Sequence, residues 1–158
     1  MVDDARFEDG QDAPLRLQAL DAEDLQVIST LLQDAVFPIT EMTWQPAKRR
    51  FALLLNRFRW EDQEPATRQN RKFERVQALL VVSDVLKVAS SGLDRGDKDM
   101  ILSLLSITAV PGEDGAARLE LTLAGDGAIA LDVECLDVSL KDVTRPYLAP
   151  AGNAPAHE

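Results

Sequence analysis

Few residues in this chain can do chemistry, and their spacing narrows what they can do. His157 is the single histidine and Cys135 the single cysteine. Ser-His-Asp and Cys-His mechanisms need an imidazole fixed beside the nucleophile, whereas His157 falls in a Pro/Ala-rich tail expected to be flexible. One Cys and one His do not make a zinc site, and a lone cysteine excludes an intramolecular disulfide. Gly125 and Gly127 lack the Lys-Ser/Thr pair and following helix of a phosphate loop. The sequence therefore assigns no catalytic residue, no metal ligand and no cofactor.

What remains is charge. From Lys48 to Arg75 there are nine basic residues against four acids, within a chain whose net charge is −10. Arginine forks match carboxylate and phosphate geometry. If the strands on either side of this stretch form a hairpin, Arg57, Arg59, Arg71, Lys72 and Arg75 gather near one end as a candidate contact for an anionic partner, with Phe58 and Trp60 as stacking surfaces. The competing reading is a solvated charged loop with both aromatics in the core.

Asp94, Asp97 and Asp99 offer oxygens of the kind hard cations prefer, but their spacing matches no calcium loop, and a polar turn capped by Asp97 is the better reading. Glu120, Asp132 and Glu134 project from the outward face of a hairpin, where alternation predicts solvent rather than a pocket able to shift a pKa. Cys135, following a buried strand, reads as a small apolar filler.

The elements that must position these groups follow from hydrophobic periodicity. Asp3, Asp4, Glu8, Asp9 and Asp12 mark residues 1–14 as an acidic, disordered arm, the opposite of a basic secretory leader. Leu15, Leu17 and Ala19 alternate as a strand. Asp21 then caps a helix over about 22–35, whose inner face is Leu25, Ile28, Leu31, Leu32 and Ala35, with Gln26, Ser29 and Gln33 outward. Met42 and Trp44 alternate as another strand. In the run from Arg50 to Trp60, Phe51, Leu53 and Leu55 share one parity while Phe58 and Trp60 share the other. Either a one-residue bulge or burial on both faces reconciles them. A loop over 61–71 leads to strands at 73–82, 85–89 and 100–110.

The final hairpin carries Leu119, Leu121 and Leu123 opposite Ile129, Leu131 and Val133. Keeping both sets inward requires opposed residue numbers with an even sum, which selects a three-residue loop, Gly125-Asp126-Gly127, with Gly127 left-handed. Leu136, Leu140 and Val143 fit a short closing helix, although Leu136, Val138 and Leu140 also fit a strand. The expectation is one α+β domain over 15–144 with a tail at 145–158: mostly antiparallel sheet or barrel of about seven strands, an N-terminal helix and a short C-terminal helix, similar to a pleckstrin-homology-like barrel.

Several segments resemble a small bacterial family described only as a domain of unknown function, family 2948. The resemblance lies in Leu32-Gln33-Asp34-Ala35-Val36, in the run Arg50 to Glu61 (most specifically Asn56-Arg57-Phe58-Arg59-Trp60-Glu61), in Gly92-Leu93-Asp94-Arg95, and in Leu131-Asp132-Val133-Glu134-Cys135. It implies a single bacterial domain and brings no activity, ligand or catalytic residue.

No window approaches the roughly 20 apolar residues needed to span a bilayer, and the default address is cytoplasmic. The expected function is a non-catalytic binding module whose basic stretch contacts an anionic ligand or protein. A carboxylate/arginine enzyme, with a divalent metal at Asp94, Asp97 and Asp99, and a structural homo-oligomeric subunit are the alternatives.

Overall fold

The computed structural model describes residues 14–62, 74–94, 96–145 and 147–148. The acidic arm at 1–13, most of the 61–71 loop with Arg68 and Arg71, Lys72, and the end of the tail with His157 lie outside the described residues.

Among these residues one α-helix and eleven strands form an α+β fold in which every strand pair is antiparallel. The strands are β1 (Arg16–Ala19), β2 (Val36–Pro38), β3 (Met42–Gln45), β4 (Arg50–Phe58), β5 (Glu74–Val82), β6 (Val85–Ser91), β7 (Ile101–Pro111), β8 (Ala117–Leu123), β9 (Ala128–Val133), β10 (Val138–Asp142) and β11 (Tyr147–Leu148). Their order across the sheet is β1-β10-β5-β4-β2-β7-β8-β9-β6, with β3 pairing beside β4 and β11 beside β5. The count exceeds the expected figure of about seven: β2 and β11 are too short to show alternation, and residues 138–142 are a strand and not a helix.

That last point is the main correction. Val138 and Leu140 alternate inward and are fully buried, and β10 is inserted between β1 and β5. The helical spacing of Leu136, Leu140 and Val143 loses because neighbouring strands on both sides supply backbone partners, while Val143 is left 45% exposed.

The single helix, α1 (Ala22–Leu31), starts as expected, with the Asp21 carboxylate accepting from the backbone N–H of Asp24 at 2.8 Å. It stops earlier than expected because Asp34 turns left-handed, with φ 65°, to let β2 begin. Leu25, Ile28 and Leu32 face the core. Ser29, expected outside, is buried, and its hydroxyl accepts from the N–H of Ile107 at 2.9 Å, tying α1 to β7 just past the latter's bulge.

The β8–β9 hairpin keeps the even-sum register, with Leu121 opposite Ile129 and Leu119 opposite Leu131. The three-residue loop lies one position earlier than expected, at Ala124-Gly125-Asp126, closed by Leu123 N–H donating to Gly127 O at 2.9 Å. Gly125 and Asp126, rather than Gly127, take positive φ. Gly127 has a packing reason instead: a Cβ there would meet the side chain of Leu93 at 2.9 Å.

Along β4 the register to β5 is unbroken from Phe51 opposite Val82 to Phe58 opposite Arg75, so no bulge exists. Phe51, Leu53, Leu55 and Arg57 all share the inward parity and are all buried. The strand's last turn is buried on both faces, as the second of the two readings has it, but the inward-facing residue there is an arginine.

Candidate functional site

Among the described residues, polar groups meet a shaped surface at the far end of the β4–β5 hairpin and in a cleft between β3 and β6.

At the hairpin end, Arg57 is fully enclosed, and each of its five guanidinium N–H groups has a partner. Nε and Nη2 donate to the two oxygens of Asp142 at 3.0 Å each. Nη1 and Nη2 donate to the two oxygens of Glu61 at 2.9 Å each, and Nη1 donates again to the Phe58 carbonyl at 3.1 Å. Asp142 in turn accepts from Leu15 N–H at 2.9 Å, and its own N–H donates to Leu15 O. One buried cation thus joins the end of β4, the start of β1 and the end of β10.

Burial opposes the charge on Arg57, but the hydrogen bonds to Glu61 and Asp142 prevail and hold its pKa above the ordinary guanidinium value. Burial likewise pushes the Glu61 carboxyl up, but Arg57 outweighs it and keeps it below the usual carboxylate value. Arg59, 8% exposed, is paired with Glu74 through Nη1 and lies 3.9 Å from Glu61. The Arg75 guanidinium lies 4.1 Å from the centre of the Phe58 ring, and that ring packs at 5.5 Å against Trp60. The Trp60 indole N–H donates to Gln33 O at 2.9 Å.

The structure therefore brings Arg57, Arg59 and Arg75 together at one end of the hairpin. It places the first two inside, neutralised by carboxylates, rather than on a surface. Arg71 and Lys72 lie outside the described residues. Lys48 and Arg50 are exposed at the opposite end of β4, where Arg49 pairs with Glu134 at 3.2 Å; at about 3.3 Å per residue, Arg50 and Arg57 are roughly 23 Å apart. The signal for burial was present in the parity of Arg57 with Leu55. Of its two carboxylate partners, Glu61 is four positions along the chain, whereas Asp142 could not be read because it is 85 positions away.

The acidic candidates are occupied locally. Asp94 accepts from Gly96 N–H at 3.0 Å, and Asp97 accepts from Asp99 N–H at 3.1 Å, which is turn chemistry. Among the described residues, no group of three His, Cys, Asp or Glu side chains is placed to hold a metal ion. Glu120 and Glu134 are exposed, and Asp132 faces Arg118 at 3.5 Å. Cys135 is exposed rather than a core filler. Its thiol donates to Asp84 at 3.1 Å, and that carboxylate raises the thiol pKa, the opposite of what an activated cysteine needs.

Sequence reasoning missed the cleft. Among the described residues, β3 pairs only with β4, and β6 pairs only with β9. The sheet curls until the start of β6 reaches the turn that follows β3, Val85 N–H donating to Arg49 O at 2.8 Å, and a cavity of about 310 Å³ lies further along between the two strands. It is lined by the apolar side chains of Ile39, Met42, Trp44, Phe51, Val88 and Ile129 and by Thr40, Ser90 and Lys98, of which Thr40 and Lys98 are exposed. The alternation of Met42 and Trp44 was legible as strand. That their face lines a cleft depends on which distant strand arrives opposite.

No helix among the described residues is long and apolar enough to cross a membrane. No curated protein and no solved structure matches the chain. A family model described as a protein of unknown function, DUF2948, matches residues 15–157, nearly the whole chain, and this protein belongs to that family.

Proposed function

We propose that the protein is a non-catalytic binding module whose ligand site is the cleft between β3 and β6. The observation that carries the reading is a concave, mostly apolar cavity with a few polar groups in its lining, the form small-molecule sites take. Its volume of about 310 Å³ lies at the low end of such sites, which favours a small ligand. The far end of the hairpin supports a scaffold role instead, because a guanidinium with five filled donors has none left for a partner.

Trp44 makes the reading testable. Titration with 1-octanol is expected to shift tryptophan emission saturably in the wild type. The shift should vanish in Trp44→Phe, which leaves Trp60 as the single tryptophan, and in Val88→Phe, where the added bulk fills the cleft. A panel of small apolar ligands that leaves emission and melting temperature unchanged overturns the reading.

A second reading keeps an anionic partner at the hairpin end, centred on Arg75 and including Arg71 and Lys72. It is supported by the Nε of Arg75, which is buried without a hydrogen-bond partner among the described residues. Salt-sensitive retention on immobilised heparin, lost in Arg75→Glu, is expected; equal elution of the two proteins removes it.

A further inference from the structure

We infer that the cleft between β3 and β6 takes a small amphipathic anion, an aliphatic carboxylate whose chain lies inside and whose head group meets Lys98. The inference rests on the reading of the cleft as a ligand site and names the ligand class.

The chain as a whole is acidic, with a net charge of −10. Among the described residues that line the cleft, Lys98 is the one charged side chain. Lys98 is exposed and, among the described residues, has no carboxylate partner. The neighbouring acids do not supply one. Asp94 and Asp97, on the same loop, each turn an oxygen onto a backbone N–H of that loop.

The two halves of the site then sort by chemistry. Met42, Trp44, Val88 and Ile129 offer hydrocarbon surface and leave no buried charge to solvate, so a head group is excluded from the interior. At the exposed edge, the Lys98 ammonium supplies the charge and the Thr40 side chain a hydroxyl. A carboxylate is an acceptor that such an edge satisfies, whereas an alkylammonium would meet a like charge. The loop bearing Lys98 has a defined starting point. Gly92 takes φ 71° beside the Asp126 carbonyl, and Leu93 packs over Gly127. A Cβ at position 92 would come within 2.7 Å of that carbonyl, so the start of the loop lies tight against the β8–β9 turn.

Calorimetric titration of the full chain with octanoate, 1-octanol and octylammonium tests the class directly. Octanoate is expected to bind about fivefold more tightly than octanol, the size of effect an exposed ion pair supports. Octylammonium should bind more weakly than either. Lys98→Glu should reverse the order of the two ions while leaving octanol unchanged, and added salt should shrink the difference between octanoate and octanol. Equal binding of octanoate and octanol, or tighter binding of octylammonium to the wild type, overturns the anionic assignment and leaves the cleft as a site. Failure of all three to bind overturns both. Because Lys98 is exposed, its substitution leaves the core intact; matching melting temperatures of variant and wild type are the check.

Discussion

Arg57 shows how a residue type expected on the surface can be the centre of a core. Its position follows from parity with Phe51, Leu53 and Leu55, and its tolerance of burial follows from two carboxylates and a carbonyl that fill every donor. Removing one member of such a set strands the rest in low dielectric, and breaking a buried pair costs about 3–5 kcal/mol. Asp142→Ala is therefore expected to lose about 3 kcal/mol or more in urea unfolding, since it also deprives Leu15 N–H of its acceptor. Asp132→Ala, at the exposed pair with Arg118, is expected to lose less than about 1 kcal/mol. A loss of that small size at Asp142 would show that water replaces the carboxylate and that the node is not dry.

At the level of elements, the parts most legible in the sequence were those whose signals are local. Asp21 announces α1, and even-sum pairing keeps the β8–β9 faces together wherever the loop falls. The unreadable parts are those decided by a distant neighbour. Residues 136–143 carry both periodicities, and the choice goes to strand because β1 and β5 flank the segment. Ser29 looked outward by composition, yet just past the bulge in β7 the Ile107 N–H turns to α1, and the Ser29 hydroxyl accepts from it. Ser29→Ala should accordingly cost about 1–3 kcal/mol, the penalty for a buried unsatisfied N–H. Gln26→Ala, on the exposed face of the same helix, should fall within about 0.5 kcal/mol of wild type. Comparable effects at both positions, measured by chemical denaturation, would mean that the helix is not docked through that bond.

For the molecule as a whole, the sheet that curls without closing explains why neither candidate site could be fully read beforehand. A cleft between strands 42–45 and 85–91 exists only once their order in the sheet is known, and the hairpin end is tied shut by a residue from the last long strand. The same architecture separates two effects of pH. Between pH 7 and the isoelectric point of about 4.6, acidification reduces a net charge of −10 and so relieves repulsion across the whole surface. Glu61 acts in a lower window. Its folded pKa is depressed, so it contributes stability that is complete above the unfolded value of about 4.3 and is lost as pH falls through the folded value. Its side chain is 35% exposed, so solvent screens part of that contribution. Comparing wild type with Glu61→Gln cancels the global charge effect almost entirely, because the two differ by one charge. The stability difference between them should stay level from pH 7 to about 5 and shrink below about pH 4, where the wild-type carboxyl takes up its proton. A difference that persists unchanged to pH 2 would mean that Glu61 holds Arg57 through shape and hydrogen bonding alone, with its charge contributing nothing.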